Sequence, residues 1–223
     1  MELNLAETFL LLSIKPEKSG FLIPVEKVNP GIIGAIFIEL SEKKIAEIKD
    51  KKLIIKKLPS KLKFPFDEIV SRIYNSKKEK RVKTWVRSFS NKARKYRLYL
   101  LRDLENKGLV RITEKHFLFI HYKSVSLINK KVREKIINDL REALFKENNI
   151  NNQSSPILAL IQACKIQKVL VKEQGELRNI RIKLKEILKN NSISQDVDQV
   201  IKEMQAAVAG AVVVTAVVAS SGS

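Results

Sequence analysis

The first apolar cluster, Leu5 to Leu12, follows an Asn4 that stands three residues before Glu7. That spacing is a capping box with Asn in place of Ser or Thr, so it predicts a helix from there to about Ile14. Lys15–Gly20 reads as a turn. Asn29-Pro30 reads as an N-cap with proline at the first helical position. The helix behind it, Gly31 to Leu40, is apolar nearly all round and must be interior, with its glycines marking close packing. Two strand-like pieces, Ile45–Ile48 and Leu53–Lys56, predict a hairpin across Lys49–Lys52.

Pro59 and Pro65 bracket a basic loop before a helix over about Asp67–Asn75. The stretch Lys77–Arg97 carries ten Lys and Arg against one acid, Glu79, with Trp85, Phe89 and Tyr96 interleaved. A helix then runs to Asn106, with Leu100, Leu101 and Leu104 on one face, and ends at the Lys107-Gly108 cap. Leu109–Ile112 and Phe117–His121 predict a second hairpin around Thr113–His116. A long helix over Asn129–Phe145 and a polar loop over Asn148–Ser155 follow. Helical pieces at Pro156–Cys164, Gly175–Lys189 and Gln195–Ala219 close the chain. The last contains an apolar run of 14 residues, Ala206–Ala219, short of the ~20 a spanning helix needs, so a core helix is expected rather than a tail anchor. The fold class is mostly α: a single compact helical domain over residues 1–223 with small β-hairpins.

Charge changes this ordinary picture. Forty-three Lys and Arg against 24 Asp and Glu leave +19, an excess that favours an anionic partner such as lipid headgroups or nucleic acid. Cys164 is the only cysteine, which excludes an intrachain disulfide and a CxxC site and fits a reducing, cytoplasmic compartment. Glu2 and Glu7 occupy the region where a signal peptide needs positive charge. No phosphate-binding, zinc-protease, nucleophile-elbow or dinucleotide motif occurs. His116 and His121 are five apart, on opposite faces of one strand and so a poor ligand pair. No catalytic residue, metal or cofactor is expected, and the chain is not expected to be an enzyme. Within the basic stretch, Arg94 and Arg97 are three apart on one helix face, where two guanidinium forks grip a phosphate better than lysines do. Lys83 and Arg87 extend the candidate headgroup surface.

The order of several segments resembles the Golgi phosphoprotein 3 family. They are Leu5–Leu12, Gly31–Leu40, Val82-Lys-Thr-Trp85, Arg94-Lys-Tyr-Arg97 leading to Leu104–Val110, Thr113–Phe119 and the small-residue helix after Met204. The resemblance implies a peripheral membrane protein that recognises phosphatidylinositol 4-phosphate and serves as a membrane-trafficking or membrane-organising adaptor. It puts two headgroup arginines on Arg94 and Arg97. Two further pocket positions fall on Pro24 and Ile33, where the family's tryptophan and arginine are replaced. It also implies a hairpin at Phe117, Leu118 and Phe119 that inserts into the bilayer or mediates self-association, and places Trp85 in the core. Expected partners are anionic lipid, then tails of membrane proteins and a second copy through the hairpin, at the cytosolic face of a membrane. The chain is expected to be a compact, prokaryotic-type member without the basic N-terminal extension of animal and fungal ones.

The alternative is a winged-helix nucleic-acid-binding protein, because Arg94–Ile120 has a basic helix followed by a two-stranded wing. Two features stand against it: no helix–turn–helix pair is evident before Arg94, and basic residues spread along the chain, including Arg178, Arg181, Lys183, Lys185 and Lys189.

Overall fold

A computed structural model describes residues 2–117, 120–146, 154–190 and 195–220, and at 115–117, 120–122, 190 and 208–220 it describes backbone only. Helix α1 (Leu5–Ser13) begins with both halves of the capping box: Glu7 N–H donates to Asn4 Oδ1 at 2.8 Å, and Asn4 N–H donates to Glu7 Oε2 at 2.9 Å. Glu7 is buried and pairs with Lys107 at 2.6 Å, which ties the start of α1 to the end of α5 (Ala93–Asn106). The charges suit both helix ends, an acid in a first turn and a cation after a last one.

Helix α2 (Val25–Glu42) is the centre of the molecule. It touches α1, α4 (Val82–Ser90), α5, α7 (Ser154–Ala163), α9 (Gln195–Ser220) and strand β1 (Ala46–Lys49). Ile32, Ile33, Ala35, Ile36, Phe37, Ile38 and Leu40 are all fully enclosed, as the apolar run requires. The glycines explain how so many elements reach one axis. A Cβ on Gly31 would lie 2.3 Å from the Phe9 ring and 2.9 Å from Cys164 Sγ; one on Gly34 would lie 2.3 Å from Met204 Sδ.

The start of α2 corrects the sequence expectation. Pro24 is the N-cap, and Pro30 lies inside the helix rather than at its first position. An interior proline costs roughly 3 kcal/mol because it removes the bond to the carbonyl four residues back. Val28, fully buried, offsets much of that, since enclosing such a side chain contributes about 1.5–3 kcal/mol. Asn29 is therefore not a cap, and its amide is free for another partner.

The first hairpin pairs β1 with β2 (Lys52–Ile55) across Asp50-Lys51, both at positive φ, the conformation a two-residue loop of this kind needs. Helix α3 (Phe66–Tyr74) follows. Helix α5 ends at Gly108, whose φ of +69° is the left-handed turn predicted for it. The second hairpin is longer than predicted: β3 (Val110–Phe117) and β4 (Ile120–Leu127) pair out to Phe117 opposite Ile120, so Thr113–His116 is strand and not turn. Its polar residues mimicked a turn, but the segment has no glycine to take positive φ. His116 and His121 consequently face each other across two strands instead of sharing one. The hairpin residues Leu118 and Phe119 and positions 148–153 of the loop predicted at Asn148–Ser155 lie outside the described residues, and Ser154 and Ser155 belong to α7 instead of that loop.

Helix α6 (Lys130–Phe145) starts at Asn129, whose side chain accepts from Val132 N–H. Beyond α7, a 3-10 turn (Gln167–Leu170) leads to α8 (Leu177–Asn190). Arg141 on α6 clamps this region: it donates to the Leu170 carbonyl and to both oxygens of Glu176, at 2.9 and 2.7 Å. Glu176 also accepts from the Lys172 and Glu173 amides, which places its carboxylate just ahead of α8. Helix α9 packs on α2 and α4 through Val197, Val200, Ile201, Met204 and Ala207, which are buried, while Ala206 is exposed and the side chains of the rest of the expected core run, 208–219, lie outside those described. Among the described residues no helix is long and apolar enough to cross a membrane.

Gly31→Ala should destabilise the protein by about 1–3 kcal/mol, because the enclosed Phe9 ring cannot give way. Gly34→Ala should cost less, since the clash is with the far end of a flexible thioether; urea unfolding midpoints of the two variants check this order. Glu176 offers a pH test. Arg141, and then the Lys172 and Glu173 amides, hold its pKa down at about 2. A depressed carboxylate stabilises the fold above the ordinary carboxylate range, and that contribution is lost as pH falls from there towards 2. The wild type should lose thermal midpoint over that window, and Glu176→Gln should flatten the dependence.

Candidate functional site

The basic stretch divides into two helices. Trp85, 3% exposed, stacks on Phe89 with centroids 5.4 Å apart, and Phe89 meets Phe37 of α2 edge-on at 6.2 Å. Tyr96 is fully buried against Phe89 and Phe64 and donates its hydroxyl to Glu68 at 3.0 Å. The interleaved aromatics are thus one packed row that fixes α4 and α5 to α2. Lys80 covers the Trp85 ring at 4.7 Å, so this tryptophan belongs to the core and is not available to a ligand.

With Tyr96 turned inward, Arg94 and Arg97 fall on another side of α5. Arg94 is exposed. Arg97 is half-buried where α5 meets the start of α2: it donates to Asn29 Oδ1, and its guanidinium lies 5.9 Å from the Phe21 ring. Burial first, and then the neighbouring Arg94, pushes the Arg97 pKa down, while Glu26 pushes it up. Two cations held this close are unfavourable in isolation, and an anion between them removes the repulsion. Arg97 is oriented by a neutral acceptor, so its charge is not cancelled by the bond that positions it.

Asn29 and Glu26 are the site residues that sequence reasoning missed. Asn29 was assigned to a cap, and only the true start of α2 releases it. Glu26 lies one turn before Asn29 on α2, close enough to act on Arg97. Ile33, one turn beyond Asn29, is fully enclosed and cannot line an open site. Pro24 caps α2 and supplies its carbonyl to Lys27 N–H at 2.9 Å.

Lys83 and Arg87 sit one turn apart on α4, the helix before the arginine pair. The Lys83 amide donates to Glu203 on α9 at 3.4 Å, and Arg81 pairs with the same carboxylate at 2.9 Å, so this end of α4 faces α9. Phe117 closes β3, and only its backbone is described.

The family model for Golgi phosphoprotein 3 (GPP34) matches residues 5–204. The chain belongs to the Golgi phosphoprotein 3 family. The match runs from α1 to Met204, the residue against Gly34, and so includes every element that builds the arginine pair and its supports. No curated protein matches the chain. A helix pair does precede the second hairpin: only Asn91 and Lys92 separate α4 from α5. Their junction holds no glycine, and Arg94 lies in the second helix of the pair rather than after it.

Asn29→Ala should free Arg97 from its one side-chain acceptor among the described residues and cost about 0.5–1.5 kcal/mol, the usual net value of one such bond. Urea unfolding checks this. An unchanged midpoint would mean that Asn29 does not position the guanidinium.

Proposed function

We propose that the protein is a peripheral membrane-binding adaptor, not an enzyme, that docks its basic surface on anionic phospholipid at the cytosolic face of a membrane. The observation that carries this reading is the Arg94–Arg97 pair at the junction of α5 and α2, within a chain that belongs to the Golgi phosphoprotein 3 family. Arg97 is desolvated and oriented before any ligand arrives, which lowers the ordering cost of gripping a phosphate group. Arg94, exposed one turn away, adds the second fork. Lys83 and Arg87 add charge on the adjoining helix. The net charge of +19 supplies a longer-range pull, with each basic residue near an anionic surface contributing about 1 kcal/mol. A phosphatidylinositol phosphate is the finer form of the ligand. The pair suits its phosphate, while Pro24 and the enclosed Ile33 contribute no further donor to it.

In this reading the β3–β4 ribbon, where β3 ends at Phe117 and Leu118 and Phe119 follow it in sequence, either enters the bilayer or joins two copies. Tails of membrane proteins are the protein partners.

The helix order α4–α5–β3–β4 favours one other reading, a winged helix on duplex DNA. Against it, Arg97 is folded back onto α2 through Asn29 instead of projecting towards a groove.

The protein should pellet with vesicles containing phosphatidylinositol 4-phosphate or phosphatidylserine and stay in solution with phosphatidylcholine alone. Arg94→Ala with Arg97→Ala should weaken that binding by roughly tenfold or more, a loss of about 1.4 kcal/mol, with a fall in thermal midpoint no larger than that of Asn29→Ala, which loses the same bond. Glu26→Gln should strengthen it, because it removes the acid beside Arg97. Equal pelleting by the double variant would place the headgroup elsewhere. Displacement by duplex DNA at near-physiological salt, with sequence preference, would favour the winged helix.

A further inference from the structure

A second basic feature lies away from α5. Between α6, the 3-10 turn after α7 and the loop after α1, the surface opens into a cavity of about 370 Å³. Arg133, on the first turn of α6, lines it and is only 6% exposed. A buried guanidinium normally pairs with a carboxylate or satisfies its donors with several acceptors. Arg133 does neither. It donates once, from Nη2 to the Leu12 carbonyl at 3.3 Å, its Nε is buried without an acceptor, and no described carboxylate pairs with it.

The opposite wall repeats the sign. Lys168, on the 3-10 turn, and Lys172, just after it, are exposed and line the same cavity. Neither makes an ion pair among the described residues. Glu134 is the one acid in the lining. Three cations against one carboxylate leave a local excess that matches a phosphate monoester, which carries −1.5 to −2 near neutral pH. Leu22 and Ile137 contribute an apolar wall beside the charged one. The cavity is held open by structure and not by loops alone: Arg141 fixes the chain at Leu170, and Glu176 accepts from the Lys172 amide.

We propose that this cavity is a second anion site that takes a phosphate monoester, with the phosphate between Arg133, Lys168 and Lys172 and its organic part against Leu22 and Ile137. The site is built by other elements than the Arg94–Arg97 pair, and it stands or falls independently of membrane docking there.

The test uses the full chain carrying Arg94→Ala and Arg97→Ala, so that the first site contributes nothing. Inorganic phosphate and glycerol 3-phosphate are titrated at constant ionic strength against chloride, read by thermal midpoint and by phosphorus NMR. The midpoint should rise with either phosphate, as binding to the folded state requires. Lys168→Ala with Lys172→Ala, both exposed, should weaken the affinity by roughly tenfold. Arg133→Met should abolish the phosphate-dependent rise while leaving the phosphate-free midpoint equal or higher, since it removes an unpaired buried charge. Vesicles containing phosphatidate form a further arm. Loss of vesicle binding in the lysine variant assigns the phosphate to a lipid, and loss confined to glycerol 3-phosphate assigns it to a soluble metabolite; both support the site. A midpoint indifferent to phosphate, or a lysine variant that binds phosphate as the parent does, overturns it.

Discussion

A helix enclosed on every side can be held only if its neighbours come close, and α2 admits them at two glycines. The Phe9 ring and Cys164 occupy the space beside Gly31, and Met204 occupies the space beside Gly34. Residues from the two ends of the chain thus meet one axis within a single turn. Once α1 and α9 are seated there, α4 and α5 have their remaining faces defined by the aromatic row from Trp85 to Tyr96. The position of Arg97 is a late consequence of this packing. It reaches Asn29 because Tyr96 is buried on one side of α5 and α2 lies on another.

Three acids of this basic chain are spent on the inside. Glu7, Glu39 and Glu203 are all buried, and they pair with Lys107, Lys43 and Arg81 respectively. Each joins segments or steadies a helix end. Each buried acid is matched by its own cation, so these pairs leave the excess of +19 unchanged. An excess of this kind steers the protein to any polyanion. It attracts and does not discriminate, which is why the distinction between lipid and nucleic acid has to come from placed residues.

Much of the frame was legible in the sequence because its signals are local. The Asn4–Glu7 box, the Gly108 cap and the all-round apolar run at Gly31–Leu40 each need only a few residues to be read, and each stands where it was expected. The failures share a cause: a long-range term outweighed a local one. Proline at position 30 reads locally as a helix start, yet burial of Val28 carries the helix back to Val25. Polar residues at Thr113–His116 read as a turn, yet pairing with β4 keeps them in strand. The site followed the same rule. The i,i+3 spacing made the arginine pair visible, whereas Asn29 and Glu26 became partners only through the packing of α2 on α5. Arg133 was invisible for a stronger reason, since nothing in its neighbourhood along the chain signals that it is buried.

Arg97 and Arg133 show how differently one protein can treat a desolvated guanidinium. For both, burial pushes the pKa down, and for both a nearby glutamate pushes it up. Arg97 has a side-chain acceptor, an aromatic face and a second arginine one turn away. Arg133 has one long bond to a backbone carbonyl and a donor that meets nothing. Evident compensation makes Arg97 a positioned group close to the surface, where, on the proposed function, a large headgroup can approach. Weaker compensation makes Arg133 the more demanding of the two, and in the proposed second site an anion in the cavity supplies the missing charge partner. A flat membrane can supply the first without deformation. The second requires a ligand small enough, or a headgroup extended enough, to reach between α6 and Lys168, and that steric difference separates the two sites more sharply than their charge does.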